Sequence, residues 1–307
     1  MKLIILGAAA GGGFPQWNCA CRNCARARAG DAAAQPRTQA SLAVSANGAD
    51  WVLFNASPDL RAQILATPAL HPRGGLRDSP IQAVVLTGGD VDFTAGLLNL
   101  REGQTFGLYA GQRILDLLDA NSIFRVLDAG LVPRRPLATD TATVLRDAAG
   151  RELGLTVEAF VVPGKVALYA EDASRPDFGS SAGDTVGLHI TDAGGRGFFY
   201  IPACATLSDD VARRVRGSAL VLFDGTLWLD DEMISLGLSA KTGARMGHIS
   251  VSGARGTIAG FAELGVARKV FVHINNSNPM IIDDTPERKI AETAGWTVAY
   301  DGMEIIL

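Results

Sequence analysis

The sequence predicts an α/β protein, with many short strands in both halves and helices inserted between them. Three observations predict it. Apolar runs are short, β-branched and of strand length. Glycine is abundant, at 35 of 307 residues, and falls mostly between those runs. Stretches of helical periodicity alternate with the runs. Two sheets covered by helices satisfy this pattern. So does a doubly wound sheet, and periodicity alone does not separate the two.

Taken in order, the strand runs are Leu3–Leu6, Trp51–Phe54, Val84–Thr87, Val157–Val162, Val186–Ile190, Phe198–Ile201, Leu220–Phe223 and Val270–His273. Each is bounded by turn residues. Helical patterns cover Ala95–Arg101 and Gln112–Asp119. Another, Ser208–Arg216, starts at an N-cap serine with Asp209 and Asp210 in its first turn, where acids complement the helix dipole. Val251–Leu264 is interrupted by glycines. Pro286–Ala294 has proline in its first turn and ends at Gly295. The chain closes with two short strands around Asp301-Gly302.

The length of 307 residues fits one large domain or two small ones. Charged residues make up 20% and the net charge is −4 with no block of one sign, which argues against generic nucleic-acid binding. No apolar run approaches the roughly 18 residues of a membrane span. Lys2 precedes Leu3–Leu6, but Gly7 ends the run before it reaches the length of a secretory leader. The expectation is a buried first strand and a cytoplasmic protein.

Three of the four cysteines, Cys19, Cys21 and Cys24, fall within six residues, while Cys204 stands far away. A disulfide framework would spread its cysteines along a short secreted chain. Three thiolates at one tight turn suit Zn²⁺, which takes four ligands in a tetrahedron. The other readings are buried free thiols or a redox role. The fourth ligand is not specified locally; Cys204 and any of the four histidines are chemically suitable. Asp90 and Asp92 follow a strand and precede a helix start, and on their own they read as helix caps. His273, at the end of an apolar strand, reads either as a satisfied core residue or as part of a site.

Several segments together resemble the PQQ-biosynthesis protein B family. They are Ala8–Cys24 with its glycines and Pro15-Gln16-Trp17-Asn18, and Asn55-Ala56-Ser57-Pro58-Asp59-Leu60-Arg61. Asp224-Gly225-Thr226-Leu227-Trp228, Asp230-Asp231-Glu232-Met233 and Met246-Gly247-His248-Ile249 follow. The last are His273-Ile274-Asn275-Asn276-Ser277-Asn278-Pro279 and Ala299–Glu304. The resemblance runs over residues 1–307 and implies a single metallo-β-lactamase-like αββα sandwich, with two mixed β-sheets covered by helices. In that fold the polar residues Asn18, Asn55, Asp224, His248, His273, Asn275 and Asn276 share one edge and form a pocket for a polyanionic or phenolic ligand.

Hydrolases of this fold carry His-x-His-x-Asp-His after a strand, to hold two metals around a water. The matching positions here are Gly88, Asp90, Asp92 and Phe93. Members of the resembled family commonly keep the final Asp-His pair, so Phe93 departs even from them. The segments ending in Pro163-Gly164 and Cys204 also lack the expected ligands, while His273 matches the last metal histidine. A two-metal hydrolase is therefore not expected. In a related phosphonate-pathway phosphodiesterase with the same cysteine spacing, a histidine closes the zinc site; its position here is Asn276, which implies Asn276 oxygen or a water as fourth ligand.

The resemblance implies work in making pyrroloquinoline quinone (PQQ), alongside the other proteins of that pathway. One form is an iron-dependent hydroxylase of the tyrosine ring of a Glu-Tyr precursor, with Asp90, Asp92, Asp224, His248 and His273 as the site. The other is a carrier moving PQQ or its precursor toward the periplasm, with Phe93, Asn275 and Asn276 against the ligand.

Overall fold

Alternation along the strands decides the architecture. In the first strand Leu3 and Ile5 belong to one apolar cluster and Ile4 and Leu6 to another. Leu220 and Leu222 likewise separate from Val221 and Phe223. Each strand therefore buries both faces, which requires apolar cover on each side. The structure is a computed structural model and describes all 307 residues.

The strands are β1 (Lys2–Gly7), β2 (Ser41–Ser45), β3 (Trp51–Phe54), β4 (Ile81–Val85), β5 (Gly107–Ala110), β6 (Arg134–Pro136) and β7 (Ala142–Arg146). They continue with β8 (Glu152–Val161), β9 (Val186–Asp192), β10 (Gly197–Ile201), β11 (Leu220–Asp224), β12 (Arg268–Val272), β13 (Trp296–Val298) and β14 (Met303–Ile306). They form two seven-stranded sheets, in the orders β14-β1-β2-β3-β4-β5-β6 and β13-β12-β11-β10-β9-β8-β7. Both sheets are mixed. β3 to β6 run parallel in the first, and β10 to β13 in the second.

The helices are α1 (Arg22–Arg28), α2 (Leu60–Ala66), α3 (Val91–Thr94), α4 (Gln112–Ala120), α5 (Asp209–Val215), α6 (Glu232–Ser235), α7 (Gly243–Met246), α8 (Thr257–Phe261) and α9 (Pro286–Thr293). One core lies between the sheets, with Leu3, Phe54, Val157, Leu188 and Leu222. A second packs α4 residues Ile114, Leu115 and Leu118 outside the first sheet. A third packs Val211, Val215, Phe261 and Ala291 outside the second. The result is the αββα sandwich of the metallo-β-lactamase fold, not a doubly wound sheet. No helix is long and apolar enough to cross a membrane.

Some local expectations change. Val251–Leu264 is helical only over α8, which begins after Gly253 and Gly256 and gives way to a turn at Ala262. Ala95–Arg101 is a 3-10 segment over Ala95–Leu100. The strands flanking Asp301-Gly302 are not a hairpin: β13 lies in the second sheet and β14 crosses to the first. The Asp301 carboxylate accepts from Ala8 N at 3.0 Å and Thr38 Oγ1 at 2.7 Å, which fastens that crossing.

Candidate active site and cysteine metal centre

The cysteine loop enters α1, with Cys21 at its N-cap position and Cys24 in its first turn. The three Sγ atoms lie within 4.8 Å of one another, and neither Cys204 nor any histidine joins the group. Asn276 closes the fourth side: its amide Nδ2 is 3.2 Å from Cys19 Sγ, 3.7 Å from Cys21 Sγ and 3.3 Å from Cys24 Sγ. In a tetrahedral zinc site a fourth ligand atom sits about 3.6 Å from each sulfur. The arrangement fits zinc, and a half-turn of the amide presents Oδ1 to the same point. Burial pushes the Cys19 thiol up, but hydrogen bonds from Cys21, Cys24 and Asn276 outweigh it and hold Cys19 below the usual thiol range. Burial pushes Cys21 up to about 11. Cys204 is pushed up to about 12 by burial, with Asp224 adding to it, and its Sγ donates to Thr206 O at 3.1 Å.

Asn23 ties this centre to the end of β12. Its buried Nδ2 donates to the carbonyls of Asn276, Ser277 and Asn278 at 3.1, 3.0 and 3.1 Å. The segment His273–Asn276 thus has one end at the cysteines and the other in a second centre.

That second centre lies beyond the carboxyl ends of β4, β11 and β12, where α/β sheets commonly bind ligands. His273 leaves β12 with φ at +55°, a left-handed conformation that costs a non-glycine residue energy. Its Nε2 is 2.8 Å from Asp92 Oδ2. Its Nδ1 is 2.8 Å from Thr226 Oγ1. Asp224, the last residue of β11, accepts from Thr226 Oγ1 at 2.6 Å, Thr226 N at 2.9 Å and Cys204 N at 3.0 Å. Its Oδ2 is 2.7 Å from His248 Nδ1. Gly247, at φ +90°, ends α7 and turns the chain so that His248 stacks on His273 with ring centroids 5.0 Å apart.

Burial pushes His273 down, but the Asp92 hydrogen bond and charge outweigh it and hold the imidazole above its usual range. Burial likewise pushes Asp92 up, and His273 outweighs it, holding the carboxyl below its usual range. The two form a buried ion pair. Asp92 is thus a partner of His273 rather than a helix cap.

Asp90 occupies the N-cap position of α3 but makes no side-chain cap bond. Its carboxylate faces Lys165 Nζ at 3.3 Å and accepts from Leu168 N at 3.1 Å, on the wall of the cavity that the two histidines also line. Phe93 is 3% exposed and meets His273 edge-to-face at 5.5 Å. A Cβ on Gly88 would lie 3.2 Å from Phe93 Cδ2, so the phenyl ring fills the space beside the absent first ligand. Asn275 Nδ2 donates to Ser277 Oγ at 2.5 Å. Asn276 serves the cysteines and not this centre. Asn55 is locked onto Thr87 and Asn18 pairs with Gln16, so neither reaches it.

A cavity of about 320 Å³ opens over the centre. Asp92, Phe93, His248, His273, Asn275 and Met233 line it, with Lys165, Lys241 and Arg245. Lys165, Lys241 and Arg245 did not stand out in the sequence, and Thr226 and Met233 appeared only within the resembled segments. Thr226 carried one signal, a hydroxyl two residues past an acid at a strand end.

Chemically, Asp224 fixes the Nδ1 side of His248, and Thr226 fixes that of His273. Asp224, His248 and His273 bring ligand atoms within 4.8 Å of one another, and the Asp92 carboxylate meets His273 Nε2 beside them, so displacing the Asp92–His273 hydrogen bond would present donors of the kind that suit a mononuclear metal. A two-metal site would need about six ligands.

The family model for the beta-lactamase superfamily domain matches residues 50–274. Coenzyme PQQ synthesis protein B from Gluconacetobacter diazotrophicus is 58% identical over 305 residues, covering 99% of each chain. The protein of that name from Rhodopseudomonas palustris is 53% identical over the whole of both chains. The crystal structure of Zn²⁺-bound PqqB from Methylobacterium extorquens superposes with a TM-score of 0.94 at 50% identity, covering 100% of each chain. With full-length relatives at this identity and the same αββα sandwich, the chain belongs to the coenzyme PQQ synthesis protein B family, within the beta-lactamase superfamily.

Proposed function

We propose that the chain acts in PQQ biosynthesis as a metal-dependent hydroxylase of the tyrosine ring of a Glu-Tyr precursor, with zinc on Cys19, Cys21 and Cys24 as a structural ion. One observation carries the reading: Asp92 Oδ2 and His273 Nε2 stand 2.8 Å apart at the floor of the cavity, with His248 stacked beside them. A carboxylate and two imidazoles are the donor set of mononuclear iron oxygenases. Iron, when bound, supplies the activation of dioxygen. The protein's own work is positional. Asp224 and Thr226 hold the imidazoles, and Phe93 walls off one side. The test is Fe²⁺ titration under anaerobic conditions on wild type, Asp92→Ala and His273→Ala. Oxygen-dependent mass gain on the Glu-Tyr dipeptide follows. Binding lost in both variants, with turnover in wild type, is the expected result.

A second reading has its own observation. Phe93 puts an aromatic ring against His273 where a metal-binding histidine would sit. That favours a carrier that holds PQQ or its precursor by stacking. No iron binding in any variant, together with PQQ binding weakened by Phe93→Ala, selects the carrier.

A further inference from the structure

The cavity has two chemically distinct ends. Its floor is the neutral Asp92–His273 ion pair beside the Phe93 ring. The rest of its charged lining holds three cations, Lys165, Lys241 and Arg245, with one acid, Asp90. Two of these cations face acids, Arg245 closely and Lys165 loosely. Arg245 donates to both oxygens of Glu171, at 3.2 and 2.7 Å, and its guanidinium carbon lies 3.6 Å from the Phe178 ring centroid. Lys165 faces Asp90 at 3.3 and 3.4 Å, longer than the roughly 2.7–2.9 Å of a tight charge-assisted bond.

Lys241 differs. It is half-buried, lines the cavity, and makes no salt bridge; the acid its charge acts on, Glu171, is already held by Arg245, and its backbone N–H is held by Ser239 Oγ at 3.2 Å. Three cations against two carboxylates leave one positive charge at the cavity entrance. An unpaired surface lysine is ordinary by itself. This one stands just before α7, whose Arg245 lines the same cavity and whose end delivers His248. One short segment therefore supplies both a free cation and a site imidazole.

We propose that Lys241 is a carboxylate anchor, and that the cavity selects small aromatic carboxylates bound with the ring on Phe93 and His273 and the acid group outward. Lys165, loosely held by Asp90, is the place for a second carboxylate. This polarity fixes which end of a ligand meets the two histidines. The choice of natural ligand rests on the PQQ-pathway reading, whereas the anchor does not.

The experiment is isothermal titration of wild type, Lys241→Ala and Lys241→Arg. The probes are PQQ and the Glu-Tyr dipeptide, each as free acid and methyl ester, and isophthalate as an unrelated aromatic dicarboxylate. Lys241→Ala is expected to weaken the free acids about tenfold, with Lys241→Arg near wild type. The esters should bind wild type and Lys241→Ala alike, and the difference for the acids should shrink in high salt. Equal affinity of wild type and Lys241→Ala for the free acids overturns the anchor. So does an equal loss for acids and esters. Isophthalate binding that depends on Lys241, without binding of PQQ or the dipeptide, upholds the anchor and removes the pathway ligand. No binding of any probe by wild type removes both.

Discussion

Thr226→Val tests whether the histidine pair is pre-positioned. Thr226 is 4% exposed, and its Oγ1 touches Asp224 Oδ1 at 2.6 Å, His273 Nδ1 at 2.8 Å and His273 O at 2.9 Å. Valine keeps the shape and removes the hydroxyl, leaving a buried carboxylate oxygen and a buried imidazole N–H short of a partner. Hydrogen bonds to charged groups contribute about 1.5–3 kcal/mol each and do not add when one hydroxyl serves them all, so a loss of about 3 kcal/mol is expected. For a chain of this size that is a fall in Tm of roughly 6 °C. Chemical denaturation of wild type, Thr226→Val and Thr226→Ser measures it, with serine retaining most of the stability. Imidazole nitrogen shifts by NMR should show the His273 Nδ1 signal moving in the valine variant alone, because that N–H loses its acceptor. A valine variant within about 0.5 kcal/mol of wild type and with unchanged imidazole shifts would refute the reasoning.

Three further outcomes are expected. The purified protein should carry about one zinc, and Cys21→Ser should lose it with a lower Tm; elemental analysis and calorimetry check both. β-Lactams and phosphodiesters should not be turned over with added zinc, because Gly88 and Phe93 offer no ligand atoms; a rate well above a metal-stripped control would count against this. Phe93→His should tighten Fe²⁺ binding by adding a nitrogen beside His273, and Asp92→Ala or His273→Ala placed on top should remove the gain; anaerobic titration reads all three.

How much was legible follows from where the determining interactions lie. Cys19, Cys21 and Cys24 are local in sequence, so their spacing alone indicated a metal. Periodicity found Trp51–Phe54 and α9 nearly to the residue, because both carry their own end signals. β2, β5, β6 and β7 went unmarked: Ser41–Ser45 begins and ends in serine, and Arg134–Pro136 and Ala142–Arg146 lie at sheet edges. Their strand state is imposed by neighbours, not by composition. At the site, Asp92 and His273 could be paired only through register with a known motif. The role of Thr226 and the orientation of Asp90 toward Lys165 arise from contacts between segments 47 and 75 residues apart, which no local pattern carries.

The contact between Phe93 and the empty side of Gly88 gives the surrounding sequence a direction of travel. A histidine introduced at 88 would drive its Cβ to 3.2 Å from the Phe93 ring, and the whole imidazole would still need room. Phe93 is buried and braced on His273, so it has little space to yield. Changed first, Gly88 brings strain without a ligand set; changed second, after a smaller residue stands at 93, it meets an open wall. A hydrolase-like metal cradle is therefore easier to build by changing position 93 before position 88. While Phe93 stands, any side chain placed at 88 must first push that ring back by a few tenths of an ångström.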